Sequence, residues 1–312
     1  MRILVTGASG YIAERLIETL REKEWVERIV GLDVRESPLR HQKLRSIKRD
    51  IREPLDDIFT AERIDAVAHL AFVVPPIHDK GLMEEINKGG LRNTLDASAR
   101  AGVRQILHVS STTAYGFHAD NDNPLTEESP LRGNDDFTYS KNKKENEQIL
   151  REFRSAHPQI TVSNLRPCFV IGPRWVNPLA THVTRKIVML PSETAPTQFV
   201  HRDDLVNVMA LMLEKRIDGD YNVAGGGTIT FPQIVRRLGN IALPLPWAIL
   251  KHLNDLAWFL RLSFMTPSPS AGMQVMIHPW LATSQKLIRQ TGYDFLYDSR
   301  AAFEHFAGSQ ET

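Results

Sequence analysis

TGASGYIA, residues 6–13, comes directly after the short apolar run RILVT and directly before a stretch with leucines at 16 and 20 in helical spacing. The order is strand, glycine-rich turn, helix. Gly7 and Gly10 are spaced G-x-x-G, and Ala13 stands where a third small residue belongs. The first glycine permits a tight turn, and the second lets backbone N–H groups approach a pyrophosphate. The small third residue lets the helix pack close to the strand. Ser9, Tyr11 and Ile12 fill out the turn and open the helix, whose N-terminus favours an anion. Asp33 follows the second apolar run, 20 residues after Ala13. A carboxylate there accepts hydrogen bonds from the hydroxyls of an adenosine ribose and repels a 2′-phosphate. The candidate cofactor is therefore NAD, and Arg35 close by keeps NADP open.

Working outward, strands are expected over 2–6, 29–32, 46–48, 66–70, 106–109 and 160–165. Helices are expected over 83–100, ending at Gly102, and over 137–156. Strands alternating with helices in this order imply an α/β chain with a doubly wound parallel sheet covered on both faces. After Arg166 the alternation weakens and prolines multiply. Short strands at 198–200 and 221–223 flank a helix at 203–215, and from 228 the chain reads mostly helical. The expected division is a dinucleotide-binding domain over 1–172, with parts of 173–227 returning to it. A smaller, mostly helical C-terminal substrate lobe takes 228–312 and parts of 173–198.

Residues 139–143 read YSKNK. On a helix Tyr139 and Lys143 lie one turn apart on one face. A phenol titrates near pH ~10, and a neighbouring cation favours the phenolate, so the pair suits proton transfer at neutral pH.

With these motifs in hand, the chain resembles the extended short-chain dehydrogenase/reductase family, the group of NAD-dependent epimerases and dehydratases. The segments that carry the resemblance are TGASGYIA (6–13), LD (32–33), RDI (49–51), HLAF (69–72), Asn87 in INKGGLRNTLDA, VSSTTAYG (109–116), YSKNK, LRPCFVIGP (165–173) and FVHRDDL (199–205). They cover about 1–230 and fade beyond. The resemblance implies a Rossmann-type sheet and a catalytic set of Ser111, Tyr139 and Lys143. It implies that Asp50 and Ile51 flank the adenine, that Leu70 and Ala71 pass the diphosphate and ribose, and that Pro167 and Cys168 pass the nicotinamide carboxamide. It also implies a homodimer through the helices at 83–100 and 137–156. Tyr139 would move the proton on a substrate oxygen. Lys143 would lower the Tyr139 pKa and bond the nicotinamide ribose, and Ser111 would hold the oxygen.

Two departures bear on the reaction. Sugar 4,6-dehydratases of this kind carry an Asp-Glu pair after the catalytic Ser or Thr, where this chain has Thr112-Thr113, which argues against water loss. Many nucleotide-sugar members carry an Arg two residues before the Phe of FVH, where this chain has Thr197, leaving Arg174, Arg185 and Lys186 as substitutes. The first reading is an epimerase or dehydrogenase acting on a sugar nucleotide or sugar. The second is a carbonyl reductase or alcohol dehydrogenase acting on an apolar, steroid- or flavonol-like substrate, toward which the Trp, Leu, Phe and Met of the C-terminal part lean. The third is a non-catalytic dinucleotide-binding sensor or assembly subunit.

The bulk numbers set bounds. The formal net charge of +1 speaks against a nucleic-acid partner held by charge, and one cysteine, Cys168, excludes an intramolecular disulfide. The opening residues do not read as a signal peptide, and the expected location is cytoplasmic. No run reaches the ~18 apolar residues of a membrane span. Eleven histidines show no H-x-x-H or H-E-x-x-H spacing, so no metal is expected; His69 and His108, on expected strands, read as interior groups. In 247–264 apolar residues fall at 249, 253, 256, 257, 260 and 264, with polar ones at 251, 252, 254, 255 and 261. The expectation is a helix packed on the smaller lobe, with a lid over the substrate and a membrane-surface contact as alternatives.

Overall fold

The computed structural model describes residues 1–175, 177–262 and 265–310. The first half runs β1 (Arg2–Thr6), α1 (Tyr11–Arg21), β2 (Arg28–Asp33), β3 (Leu44–Lys48), α2 (Asp56–Glu62), β4 (Ala66–His69), α3 (Lys80–Glu84), α4 (Gly90–Arg100), β5 (Gln105–Val109) and α5 (Thr138–Ala156). The second half runs β6 (Thr161–Pro167), β7 (Phe169–Ile171), α6 (Pro178–Val183), β8 (Ile187–Pro191), β9 (Phe199–His201), α7 (Arg202–Lys215) and β10 (Gly219–Val223). It continues with α8 (Phe231–Arg237), β11 (Ile241–Leu245), α9 (Trp247–Phe259), α10 (Gln285–Thr291) and α11 (Ser299–Gly308).

Seven strands form one parallel sheet in the order β3-β2-β1-β4-β5-β6-β10. Ile3 lies opposite Ile29 on one side and Ala66 on the other. The strands are apolar because both faces are covered: all four residues of β4 are buried. Helices α1 and α7 pack together on one face, around Leu16, Ile17, Leu205 and Met209. On the other face α2, α4 and α5 bring Phe59, Leu95 and Leu150 into a second cluster. The chain reverses its winding between β1 and β4, which opens a crevice at the carboxyl ends of these strands.

Several elements depart from the sequence reading. Helix α2 went unread because it is seven residues long, and its evidence is two first-turn aspartates rather than a long apolar period. The helix expected over 83–100 begins at Lys80 and is broken by one wide π-type turn over Glu85–Gly89, which turns Asn87 inward. Strands β8 and β11 pair in parallel as a separate two-stranded sheet. Each carries a proline, Pro191 and Pro244, which a two-stranded ladder tolerates because its outer edges leave positions where a missing N–H costs nothing. β7 and β9 form a third small sheet. Helices α10 and α11 pack against β10 and β9, so this part of the chain returns to the main body.

One buried ion pair fixes α5 against the sheet. Arg166 on β6 donates from Nε and Nη2 to Glu147 on α5, both at 2.9 Å. Its Nη1 donates to the Tyr115 hydroxyl at 2.9 Å, and that hydroxyl donates to Asn222 on β10 at 2.8 Å. Both charges are at least 95% buried, so each needs the other.

Candidate active site

The site begins at the glycine turn. Gly7 has φ of 69°, in the left-handed region, and a Cβ on it would stand 2.8 Å from the backbone of Ala71. The turn is therefore closed to larger residues, and Ala71 abuts it from the β4 side. Gly10 donates its N–H to the Gly7 carbonyl at 2.9 Å and caps α1. Ala13 is buried, as a small packing residue should be. Asp33 accepts from the Ser9 N–H at 3.0 Å and the Arg35 N–H at 2.9 Å. The Arg35 side chain reaches back to the Ser9 carbonyl at 2.7 Å. A free helix N-terminus over a glycine cradle, with a carboxylate beside it, fits NAD: backbone N–H groups for the diphosphate, Asp33 for the adenosine ribose.

The catalytic candidates stand across the crevice. Ser111 follows β5 and opens a 3₁₀ turn over Thr112–Tyr115, accepting from the Thr113 N–H at 3.2 Å. Tyr139 and Lys143 occupy the first two turns of α5. The register between turn and helix is set by Ser140, whose hydroxyl donates to the Thr113 carbonyl at 2.7 Å and accepts from the Asn134 N–H at 3.0 Å. Lys143 donates to the Val109 carbonyl at 2.8 Å and lies 3.8 Å from the centre of the Phe72 ring, a cation–π distance. Phe72 also meets Tyr139 edge-on at 5.4 Å.

Electrostatics here differs from the sequence expectation. The Tyr139 phenol is raised, not lowered: burial disfavours the phenolate, and the neighbouring Ser111 and Thr113 hydroxyls only partly oppose it. Lys143 itself is pushed down to about 7 by burial, which disfavours its ammonium form. The Cys168 thiol is pushed up to about 12 by burial, which makes it a wall residue and no nucleophile. His108 is depressed to about 3 by burial and by the Lys143 cation, and its Nδ1 lies 2.8 Å from Asn164 Oδ1. His69 is buried and depressed well below its usual range; one ring nitrogen lies 3.0 Å from the Thr6 hydroxyl, and the other has no partner among the described residues.

A cavity of about 630 Å³ connects these parts. Gly7, Ser9, Gly10, Tyr11, Ile12, Leu70, Ser111, Tyr139, Lys143, Pro167 and Cys168 all line it. Asp33 lines an adjoining cavity of about 530 Å³, which shares Ser9 and Arg35 with the first. Asp50 and Ile51 line neither: the Asp50 carboxylate is clamped by Arg52 at 2.7 Å, and Ile51 is buried against Gly90.

Sequence reasoning missed the wall that faces Tyr139. It is built by Phe72 to Pro76 after β4, by Phe117, Phe137 and Trp175, and by Met276 and Trp280 from beyond α9. Asn87 holds the first of these segments, accepting from the Val73 N–H at 2.7 Å. The signals for that wall in the sequence are the apolar run FVVPP after HLA and the Trp and Met of the C-terminal part, to which Trp280 and Met276 belong. The substitutes for a phosphate-gripping Arg do not line the cavity: Arg174 is exposed, Arg185 donates to the Met265 carbonyl, and Lys186 lies 3.4 Å from the Gly239 carbonyl. Thr197 is fully buried and pairs through its backbone with Ile229. Cavity-lining cations among the described residues are Lys143 and Arg35, with His182 held neutral near 4 by burial.

Known proteins share this fold. The model of the NAD dependent epimerase/dehydratase family matches residues 3–224. A sterol demethylase protein B of Methylococcus capsulatus is 28% identical, over 76% of this chain and 74% of its own. A UDP-glucose 4-epimerase of Erwinia amylovora is 33% identical over 58% of this chain and 55% of its own. Among solved structures, the UDP-glucose 4-epimerase of Thermotoga maritima superposes with a TM-score of 0.79 at 18% identity, covering 100% of this chain and 99% of that one. The UDP-glucuronic acid 4-epimerase of Bacillus cereus, crystallised with NAD, does so at 0.75 and 17% identity, covering 100% and 99%. The strand order and crevice, the glycine turn with its acid, and the match over residues 3–224 together make this chain a member of the NAD-dependent epimerase/dehydratase family.

Proposed function

We propose that the chain is an NAD-dependent dehydrogenase or ketoreductase acting at a secondary alcohol or ketone of a bulky, mainly apolar substrate. The observation that carries this reading is the wall opposite Tyr139, where Phe72, Val74, Phe117, Trp175, Met276 and Trp280 stand and where the described residues add no cation beyond Arg35 and Lys143. A sugar nucleotide, which the sequence alone puts first, needs such partners. Bound nicotinamide supplies the hydride acceptor or donor. Ser111 positions the substrate oxygen by hydrogen bonding, and Tyr139 transfers the proton at that oxygen. Burial keeps Tyr139 protonated, which suits donation during ketone reduction. Lys143 orients the cofactor ribose and, when charged, eases proton loss from Tyr139 in the oxidative direction. Thr112 and Thr113 offer no acid or base for dehydration; the Thr112 hydroxyl donates to the Pro167 carbonyl at 3.3 Å.

The test is a panel of polycyclic and aryl alcohols and ketones beside UDP-, GDP- and dTDP-sugars, with NADH followed by absorbance and epimerised sugar by NMR. Turnover of apolar compounds is expected, with Tyr139→Phe lowering kcat by about 10²–10⁴ while NAD affinity holds. Turnover confined to nucleotide sugars would overturn the substrate class. An unchanged rate in Tyr139→Phe would overturn the proton-transfer role, and no turnover of any compound beside tight NAD binding would favour a dinucleotide-binding sensor or assembly subunit.

A further inference from the structure

The apolar stripe of α9 points the opposite way from the sequence reading. Leu250, Asn254 and Ala257 are the buried residues of this helix, and Asn254 lines the cavity. Ile249, Leu253, Leu256 and Leu260, spaced along one face, are 44–55% exposed, and Phe259 beside them is 79% exposed. Phe264, which the sequence pattern placed on the same stripe, lies outside the described residues. A monomer rarely leaves such a row of large side chains in water.

Charge indicates what covers it. From Tyr221 to Tyr293 the chain holds six basic residues and a single acid, Asp255. That carboxylate is turned away, accepting from the Ser270 N–H at 3.1 Å. Lys251 and Arg261, both exposed, lie on and just after the helix. Helix α9 thus offers apolar side chains with basic flanks, the composition of a helix lying in a lipid interface. A second copy seated on this face would set Lys251 and Arg261 against the same cations, which repel.

We propose that α9 docks this protein on an anionic lipid surface, with Ile249, Leu253, Leu256, Phe259 and Leu260 entering the acyl boundary and Lys251 and Arg261 meeting the headgroups. The cavity then lies directly behind the docked helix. Docking does not depend on the substrate reading, because vesicle binding needs no turnover.

The experiment is flotation of the full chain with vesicles of phosphatidylcholine alone or mixed with phosphatidylglycerol, with light scattering on lipid-free protein. Binding is expected on the anionic vesicles and is expected to weaken with salt. Each basic side chain near an anionic surface multiplies partitioning roughly fivefold. Lys251→Glu with Arg261→Glu should therefore lower it by at least ~25-fold, and Leu256→Glu with Phe259→Glu should abolish it. Both variants alter exposed positions and should keep the parent's melting temperature and NAD affinity. Absence of binding to either vesicle, or binding that both variants retain, would overturn the proposal. So would a lipid-free dimer that Leu256→Glu dissolves, which would assign the face to a second copy.

Discussion

Replacing Lys143 with Met should make the protein more stable at and below neutral pH and less stable in strong alkali. Burial lowers Lys143 from 10.5 to about 7, which corresponds to at most about 5 kcal/mol against folding when the group is charged in both states. The sign follows from proton counts. Below about pH 7 folded and unfolded chains both hold the proton, and the full cost is present. Between about 7 and 10.5 the unfolded chain binds one proton more, so stability rises by about 1.4 kcal/mol per pH unit. Above that window neither state holds the proton, and the cost is gone. Methionine removes this titration but leaves the Val109 carbonyl without its donor, a loss of about 1–3 kcal/mol. The variant should therefore lead by about 2–4 kcal/mol at pH ~6, fall level near pH ~9 and trail beyond it. Urea unfolding of both proteins across this range, followed by circular dichroism, measures the gap. A gap independent of pH, or a variant less stable at pH ~6, would refute the argument that a desolvated ammonium sits at this position. Turnover should be lost in the same variant, the outcome expected if Lys143 costs stability and serves the proposed proton transfer.

Three further outcomes follow from particular contacts. Gly7→Ala must hold a left-handed φ of 69° with its Cβ against the Ala71 backbone, at about 1–2 kcal/mol for the backbone alone, and should weaken NAD binding by at least tenfold in a fluorescence titration. Asn87→Ala frees Val73 from its 2.7 Å hydrogen bond and should raise KM for substrate more than it lowers kcat, because the 72–76 segment is a wall and not a catalyst. Arg166→Ala strands the buried Glu147 carboxylate and should cost about 3–5 kcal/mol in denaturant unfolding, with Glu147→Gln in the same background recovering part of the loss.

What could be read from sequence were constraints that act within one turn of chain. Gly7, Gly10 and Asp33 were legible because a phosphate cradle and a ribose acceptor demand particular backbone freedom at a fixed spacing. Tyr139 and Lys143 were legible because four residues is one helical turn. Their charge states were not, since desolvation depends on what covers them: Phe72 over Lys143 comes from the segment after β4, 71 residues earlier in the chain. The same limit hid the apolar wall, where Phe72 and Trp280, far apart in the chain, line one cavity, and it hid the paired strands β8 and β11.

Helix α9 shows the limit in its sharpest form. Periodicity grouped Ile249, Leu253, Leu256 and Leu260 on one face, as the structure has them, but it added Ala257, which is buried, and it put first the reading in which the more apolar face packs. Here the packed face holds Leu250, Asn254 and Ala257, and its Asn254 lines the cavity. A helix that roofs a site can leave its strongest apolar stripe outside. Where it does so beside basic side chains such as Lys251 and Arg261, the stripe is better explained by an external surface than by the core, and the sequence pattern alone cannot distinguish the two.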